Sequence, residues 1–184
     1  MRLFVAIELD PALRESIRQI EEKIKASGAD VKLVEPENLH STLKFLGEIP
    51  EEKLPDIEQK IGRALEGFRQ FTVSIEGFGY FGSPGYVRTL WLGVKEGKDE
   101  IVELMEAMNR ALDSVRKEKL KPSAHLTVGR VRSAKNKEQL LLEIEALKGV
   151  KVGGMLVKEV KLKQSTLTKA GPVYRDVKVF PLSG

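Results

Sequence analysis

Two histidines occur in this chain of 184 residues, and both stand in the same surroundings. His40 lies in NLHSTLKFLG and His125 in SAHLTVGR. Each is followed two places on by a threonine, Thr42 or Thr127, and then by an aliphatic residue, Leu43 or Val128. With six threonines in the chain, the repeated offset is a stronger signal than either short motif alone. In an extended strand alternate side chains share a face, so imidazole and hydroxyl are expected side by side in both segments. Lys44 extends the first face by the same parity. A neutral imidazole accepts a proton and an imidazolium gives one, both within reach of neutral pH. Two of them on opposite sides of a phosphorus atom suit in-line displacement: one activates the nucleophile while the other protonates the departing oxygen. The threonine hydroxyls can bond the non-bridging oxygens as charge moves.

Other chemistries find fewer residues to work with. There is no cysteine, hence no disulfide framework, reactive thiolate or thiolate metal site. A metal centre lacks a third histidine and an acidic neighbour on either polar face, so no metal and no cofactor is expected. No G-x-S-x-G elbow occurs, Gly97-Lys98 is followed by Asp99 rather than Ser or Thr, and no K-x-D-G signature is present. Lys44 reads equally as a phosphate ligand or a solvated strand-end lysine. Arg130 has the chemistry of an anion ligand, yet parity places it opposite His125 unless a bulge intervenes. GFGYFGSPGY, residues 77–86, reads as a hairpin with anchoring aromatics, and base stacking is its alternative. Trp91, in mid-strand, reads as core.

Positioning these groups falls to a soluble globular chain: 41% of residues are hydrophobic, 32% are charged, and the net charge is +4. Abundant Lys and Glu resemble a thermophile surface. The opening MRLFVAIELDP is too short and too acidic for a signal peptide, and no segment could span a bilayer, so a cytoplasmic protein is expected. Nothing in the sequence suggests an obligate interface, so a monomer is expected.

Periodicity gives strands at residues 2–8, 40–46 and 71–78, with helices from Asp10-Pro11 to Gly28 and around 51–65. The order then recurs: a strand at 87–94, a helical face through Ile101, Leu104, Met105, Met108 and Leu112, the second histidine strand at 124–131, a helix at 137–147, and an extended segment at 155–166. A closing strand follows at 173–180. Both halves, about 1–80 and 86–168, thus read strand–helix–histidine strand–helix–strand. The expected fold is α+β and bilobal, a pseudo-two-fold duplication within one domain spanning 1–184. Each lobe is an antiparallel sheet with helices on its outer face, and the cleft between lobes holds both histidines.

Paired H-x-T-hydrophobic motifs, His40-Ser41-Thr42-Leu43 and His125-Leu126-Thr127-Val128, resemble those of the two-histidine phosphoesterases. Within that superfamily the chain is most similar to the RNA 2′,3′-cyclic phosphodiesterases, also called 2′-5′ RNA ligases. The resemblance runs through RLFVAIEL, HSTLKFLGE, VRTLWLGV, HLTVGRV and STLTKAGPVY. It implies hydrolysis of a terminal 2′,3′-cyclic phosphate on RNA to a 2′-phosphate, with tRNA-derived ends among the candidate substrates. His40 would give the proton to the 3′ oxygen, His125 would activate water, and Thr42 and Thr127 would hold the phosphate. The reverse direction would give 2′-5′ ligation. Two other functions stay open: a non-catalytic RNA- or nucleotide-binding module, and a phosphoesterase of a small cyclic nucleotide.

Overall fold

Strand β1 (Arg2–Glu8) is buried from Leu3 through Ile7, as befits an apolar run covered on both faces. In the computed structural model, which describes residues 1–169 and 171–184, β1 lies inside a four-stranded antiparallel sheet. On one side it pairs with β3 (His40–Glu48) and on the other with β8 (Glu159–Leu167), beyond which lies β9 (Pro172–Pro181). The second sheet has five antiparallel strands. Its edge is β2 (Val31–Leu33), followed by β6 (His125–Val131), β5 (Tyr86–Val94), β4 (Phe71–Ser83) and β7 (Lys151–Val157). The α+β architecture of two antiparallel sheets with helices is the expected one.

The helices cover the sheet faces turned away from the centre. Asp10 caps the entry to α1 (Arg14–Ala26): its carboxylate accepts the Ala12 N–H at 2.8 Å, and Pro11 fits the first turn. Gly28, at φ +68°, ends that helix in the left-handed region. Ile17, Ile20 and Ile24 form its buried stripe. Helix α1 packs beside α4 (Lys137–Leu147), which lies on β4 of the five-stranded sheet. Helices α2 (Leu54–Ala64) and α3 (Lys98–Ala111) pack together against the four-stranded sheet, α3 on β3 and α2 beside β9 through a Glu58–Lys178 ion pair at 3.0 Å. Ile57 and Ile61 of α2 are fully buried there, each contributing about 2 kcal/mol of apolar transfer.

The sheets do not divide the chain where its repeating pattern does. Strand β4 closes the first half in sequence but forms a hairpin with β5 in the five-stranded sheet. Strand β8, late in the second half, pairs with β1 in the other sheet. Each half therefore lends its last strand to the sheet built around the other half's first strand. The single extended segment expected at 155–166 is corrected accordingly: β7 and β8 part at Lys158 and enter different sheets. Strand β2, three residues long, lies below the length at which alternation can be read.

Candidate active site

The inner faces of the two sheets bound one cleft of about 560 Å³. From β3 it receives His40, Thr42 and Phe45, and from β6 it receives His125, Thr127 and Arg130. Arg2 and Phe4 of β1, Lys32 of β2 and Tyr174 of β9 complete the parts with chemical character. Of the residues singled out from sequence, His40, Thr42, His125, Thr127 and Arg130 thus stand in one cavity, and Lys44 does not.

The two imidazoles are held alike. His40 Nδ1 lies 2.6 Å from the Asn38 carbonyl, and His125 Nδ1 lies 2.7 Å from the Ser123 carbonyl. A carbonyl oxygen can only accept, so in each ring Nδ1 carries the proton and donates it, leaving Nε2 to exchange protons. Each ring also meets an aromatic edge. Tyr174 stands 5.5 Å from His40 at 87°, and Phe81 stands 4.9 Å from His125 at 87°. Phe4 packs a further ring against His40 at 5.0 Å. Burial pushes both imidazoles below the usual histidine pKa, and the carbonyl bonds pull partly the other way. For His40, Lys163 lowers the value further while Glu8 raises it. Burial raises the Tyr174 phenol against the pull of Arg130, Arg2 and Lys163, so its hydroxyl remains a donor at neutral pH.

Bulges decide which neighbours join them. Between β1 and β3 the pairing steps from Ala6↔Thr42 to Val5↔Lys44, leaving Leu43 as an extra residue. Lys44 is thereby turned off the face of His40 and Thr42, contrary to simple parity. It is 2% exposed, away from the cleft, and its Nζ has no hydrogen-bond partner. Phe45 takes the cleft position instead. In β6 the pairing steps from Trp91↔Thr127 to Leu90↔Gly129, leaving Val128 extra. Here the bulge brings Arg130 round to the face of His125 and Thr127.

Beside His40, whose strand partner is Glu8, Lys161 and Lys163 of β8 each bond both Glu8 of β1 and Asp176 of β9, the Lys161 contacts being 2.6 and 2.8 Å. This alternating square ties three strands together and holds both carboxylates below their usual pKa even against desolvation. The 77–86 segment is a hairpin whose strands run on to Ser83, and its Phe81 packs on Trp91 as well as on His125. Trp91 departs from the expected core placement: it is half-buried, with its ring laid over Gly79, where a Cβ would come within 2.4 Å of it. Arg2, Phe4, Lys32 and Tyr174 were not anticipated. The first two sit at alternate positions of a strand that reads as uniformly buried, and Tyr174 lies in a closing strand with no motif around it.

Comparison with known proteins gives the family and the fold. A model of the LigT-like phosphoesterase family matches residues 7–91, which include the first histidine motif. A protein of Methanothermobacter thermautotrophicus named RNA 2′,3′-cyclic phosphodiesterase is 44% identical, with 99% of each chain covered. One of the same name from Archaeoglobus fulgidus is 42% identical over 98% of this chain and 99% of the relative. A crystal structure of a Thermus thermophilus protein superposes with a TM-score of 0.83 at 27% identity, over 100% of this chain and 99% of that one. With its paired histidine strands and this likeness along its whole length, the chain belongs to the LigT-like phosphoesterase family.

Proposed function

We propose that the chain hydrolyses the terminal 2′,3′-cyclic phosphate of RNA to a 2′-phosphate by general acid–base catalysis between His40 and His125. The observation that carries this reading is the matched pair of Nδ1 bonds to carbonyls in one cleft, which leaves two Nε2 atoms for proton transfer. The relatives at 44% and 42% identity are named RNA 2′,3′-cyclic phosphodiesterase, which supports the substrate class, and the 2′-phosphate product follows the family pattern. Water attacks phosphorus as His125 takes its proton. The bond from phosphorus to the 3′ oxygen breaks, and His40 supplies the proton that oxygen needs. Both histidines are competent for either role, and this assignment follows the family pattern. Thr42, Thr127 and Arg130 face the phosphate, where hydroxyl and guanidinium donors hold the charge that builds on the non-bridging oxygens. Replacing water by the 5′-hydroxyl of a second strand gives the reverse ligation, with no activated nucleotide consumed.

The test is a short RNA ending in a 2′,3′-cyclic phosphate, incubated with the protein in excess chelator, with the product identified. A 2′-phosphate is expected, and His40→Ala and His125→Ala should each lower kcat/KM by about 10³-fold. Turnover that survives in both variants would remove the histidine pair from the mechanism. A 3′-phosphate product would reverse the leaving group.

A further inference from the structure

We propose that Arg2 and Arg116, both lying over the Phe45 ring, form a subsite for backbone phosphates upstream of the terminal nucleotide. This rests on the reading of RNA as the substrate. The Arg2 guanidinium carbon lies 5.2 Å from the Phe45 ring centroid, and that of Arg116 lies 5.0 Å from it. Phe45 and Arg2 belong to the wall of the cleft, whereas Arg116 comes from the connection between α3 and β6. The subsite therefore begins inside the catalytic cavity and continues onto its rim.

Three features point to an anion here. First, neither guanidinium has a carboxylate within ion-pair distance among the described residues, although ion pairs are frequent elsewhere on this surface. Glu118, the acid two residues along from Arg116, accepts the N–H groups of Lys119 and Leu120 on Oε1 at 2.9 and 3.1 Å and acts on Arg116 only from beyond ion-pair distance. Second, the arginines are seated rather than free. Arg116 also reaches Gly47, whose backbone at φ +79° favours glycine and leaves the space that its Nη1 approaches. A guanidinium held over a ring by cation–π attraction keeps its N–H fork open, which suits phosphate oxygens. Third, the connection reads RKEKLK from residue 116, four cations with one acid, all exposed. Two like charges on one ring repel, and that repulsion is relieved by a bound polyanion. A sequence-independent phosphate track of this kind positions a strand without reading its bases.

The experiment compares kcat/KM for substrates of one and six nucleotides, each ending in a 2′,3′-cyclic phosphate. Binding of a 5′-labelled hexamer ending in a 2′-phosphate is titrated in parallel across salt by fluorescence anisotropy. Wild type is expected to favour the hexamer by more than about tenfold, and Arg116→Gln to remove most of that preference. The slope of log Kd against log salt should fall by about 0.7, one single-strand phosphate contact. Arg116→Lys should keep the slope and lose part of the preference. Arg63→Gln, an exposed site on α2, controls for net charge. An unchanged hexamer preference with an unchanged slope in Arg116→Gln would overturn the subsite, as would an equal effect of Arg63→Gln. Should wild type hydrolyse neither substrate, the catalytic reading falls, and the salt slope still decides the subsite.

Discussion

Phe45 and Arg130 occupy equivalent places, each five residues after its histidine and each brought to the cleft by a one-residue bulge just past the H-x-T triplet. Two strands built alike thus end in opposite chemistry. On the β3 side the position holds an apolar ring. On the β6 side it holds a guanidinium whose strand partner is Lys32, a second cation of the same cleft. The pseudo-symmetric histidines are therefore set among unlike neighbours: Arg130 and Lys32 come from the β6 side itself, whereas on the β3 side the cations, Arg2 and Arg116, lie over the Phe45 ring.

If Arg130 holds the phosphate as its charge rises, Arg130→Ala should lower kcat/KM on a mononucleotide 2′,3′-cyclic phosphate by about 10²-fold. Arg130→Lys should recover only part of that, because it keeps the charge and loses the bidentate fork. Steady-state kinetics on the two variants checks this. Activity within twofold of wild type in Arg130→Ala would take the residue out of the site.

The same bulges mark where the sequence stops being legible. His40, Thr42, His125 and Thr127 could be found because two rare residue types recur at one offset, and strand parity holds across three residues. Parity fails at the first extra residue, and nothing in Leu43 or Val128 announces that the backbone gains one there. Simple alternation accordingly sets Lys44 on the cleft face, and Arg130 off it unless a bulge intervenes. The helices were legible from their apolar stripes, since burial against a sheet demands that spacing. Which sheet a strand joins was not, because β4 and β8 carry the same β-branched and aliphatic signals whichever neighbour they pair with. Phe4 and Tyr174 were hidden for a related reason: an aromatic residue in a buried strand looks the same facing a core or facing a substrate.

Both histidines titrate below the usual value, so above about pH 6.5 the free protein carries them largely neutral. The base is then ready, but the donor must be protonated, and its population falls as pH rises. A plot of kcat/KM against pH should be bell-shaped with its maximum below about pH 6.5, the two limbs belonging to the pair. Glu8 raises the His40 value, so Glu8→Gln should move the alkaline limb to lower pH. A maximum at pH 8 or above would contradict this assignment of the acid.

Lys44 offers a test in which stability and activity separate. Its ammonium is buried against the α3–β6 connection without a hydrogen-bond partner, and burial lowers its pKa while Glu118 and Asp113 act the other way. The unfolded chain therefore holds that proton more readily than the folded one. Between the lowered folded value and the ordinary lysine value of about 10.4, stability contributed by this site rises with pH. At pH 7, below the ordinary lysine value, the buried amine costs the folded state free energy relative to the unfolded chain. Lys44→Met, close in volume and without the charge, should stabilise the protein there by about 1–2 kcal/mol, a rise in Tm of about 3–6 °C. The gain should shrink as pH approaches 10, which thermal melts at pH 7 and pH 9.5 would reveal. Because Leu43 bulges and turns Lys44 away from the cleft, kcat/KM should stay within about twofold of wild type. A hundredfold loss of activity with no gain in Tm would mean that the ammonium reaches the phosphate after all, as the unbroken alternation of the strand would have it.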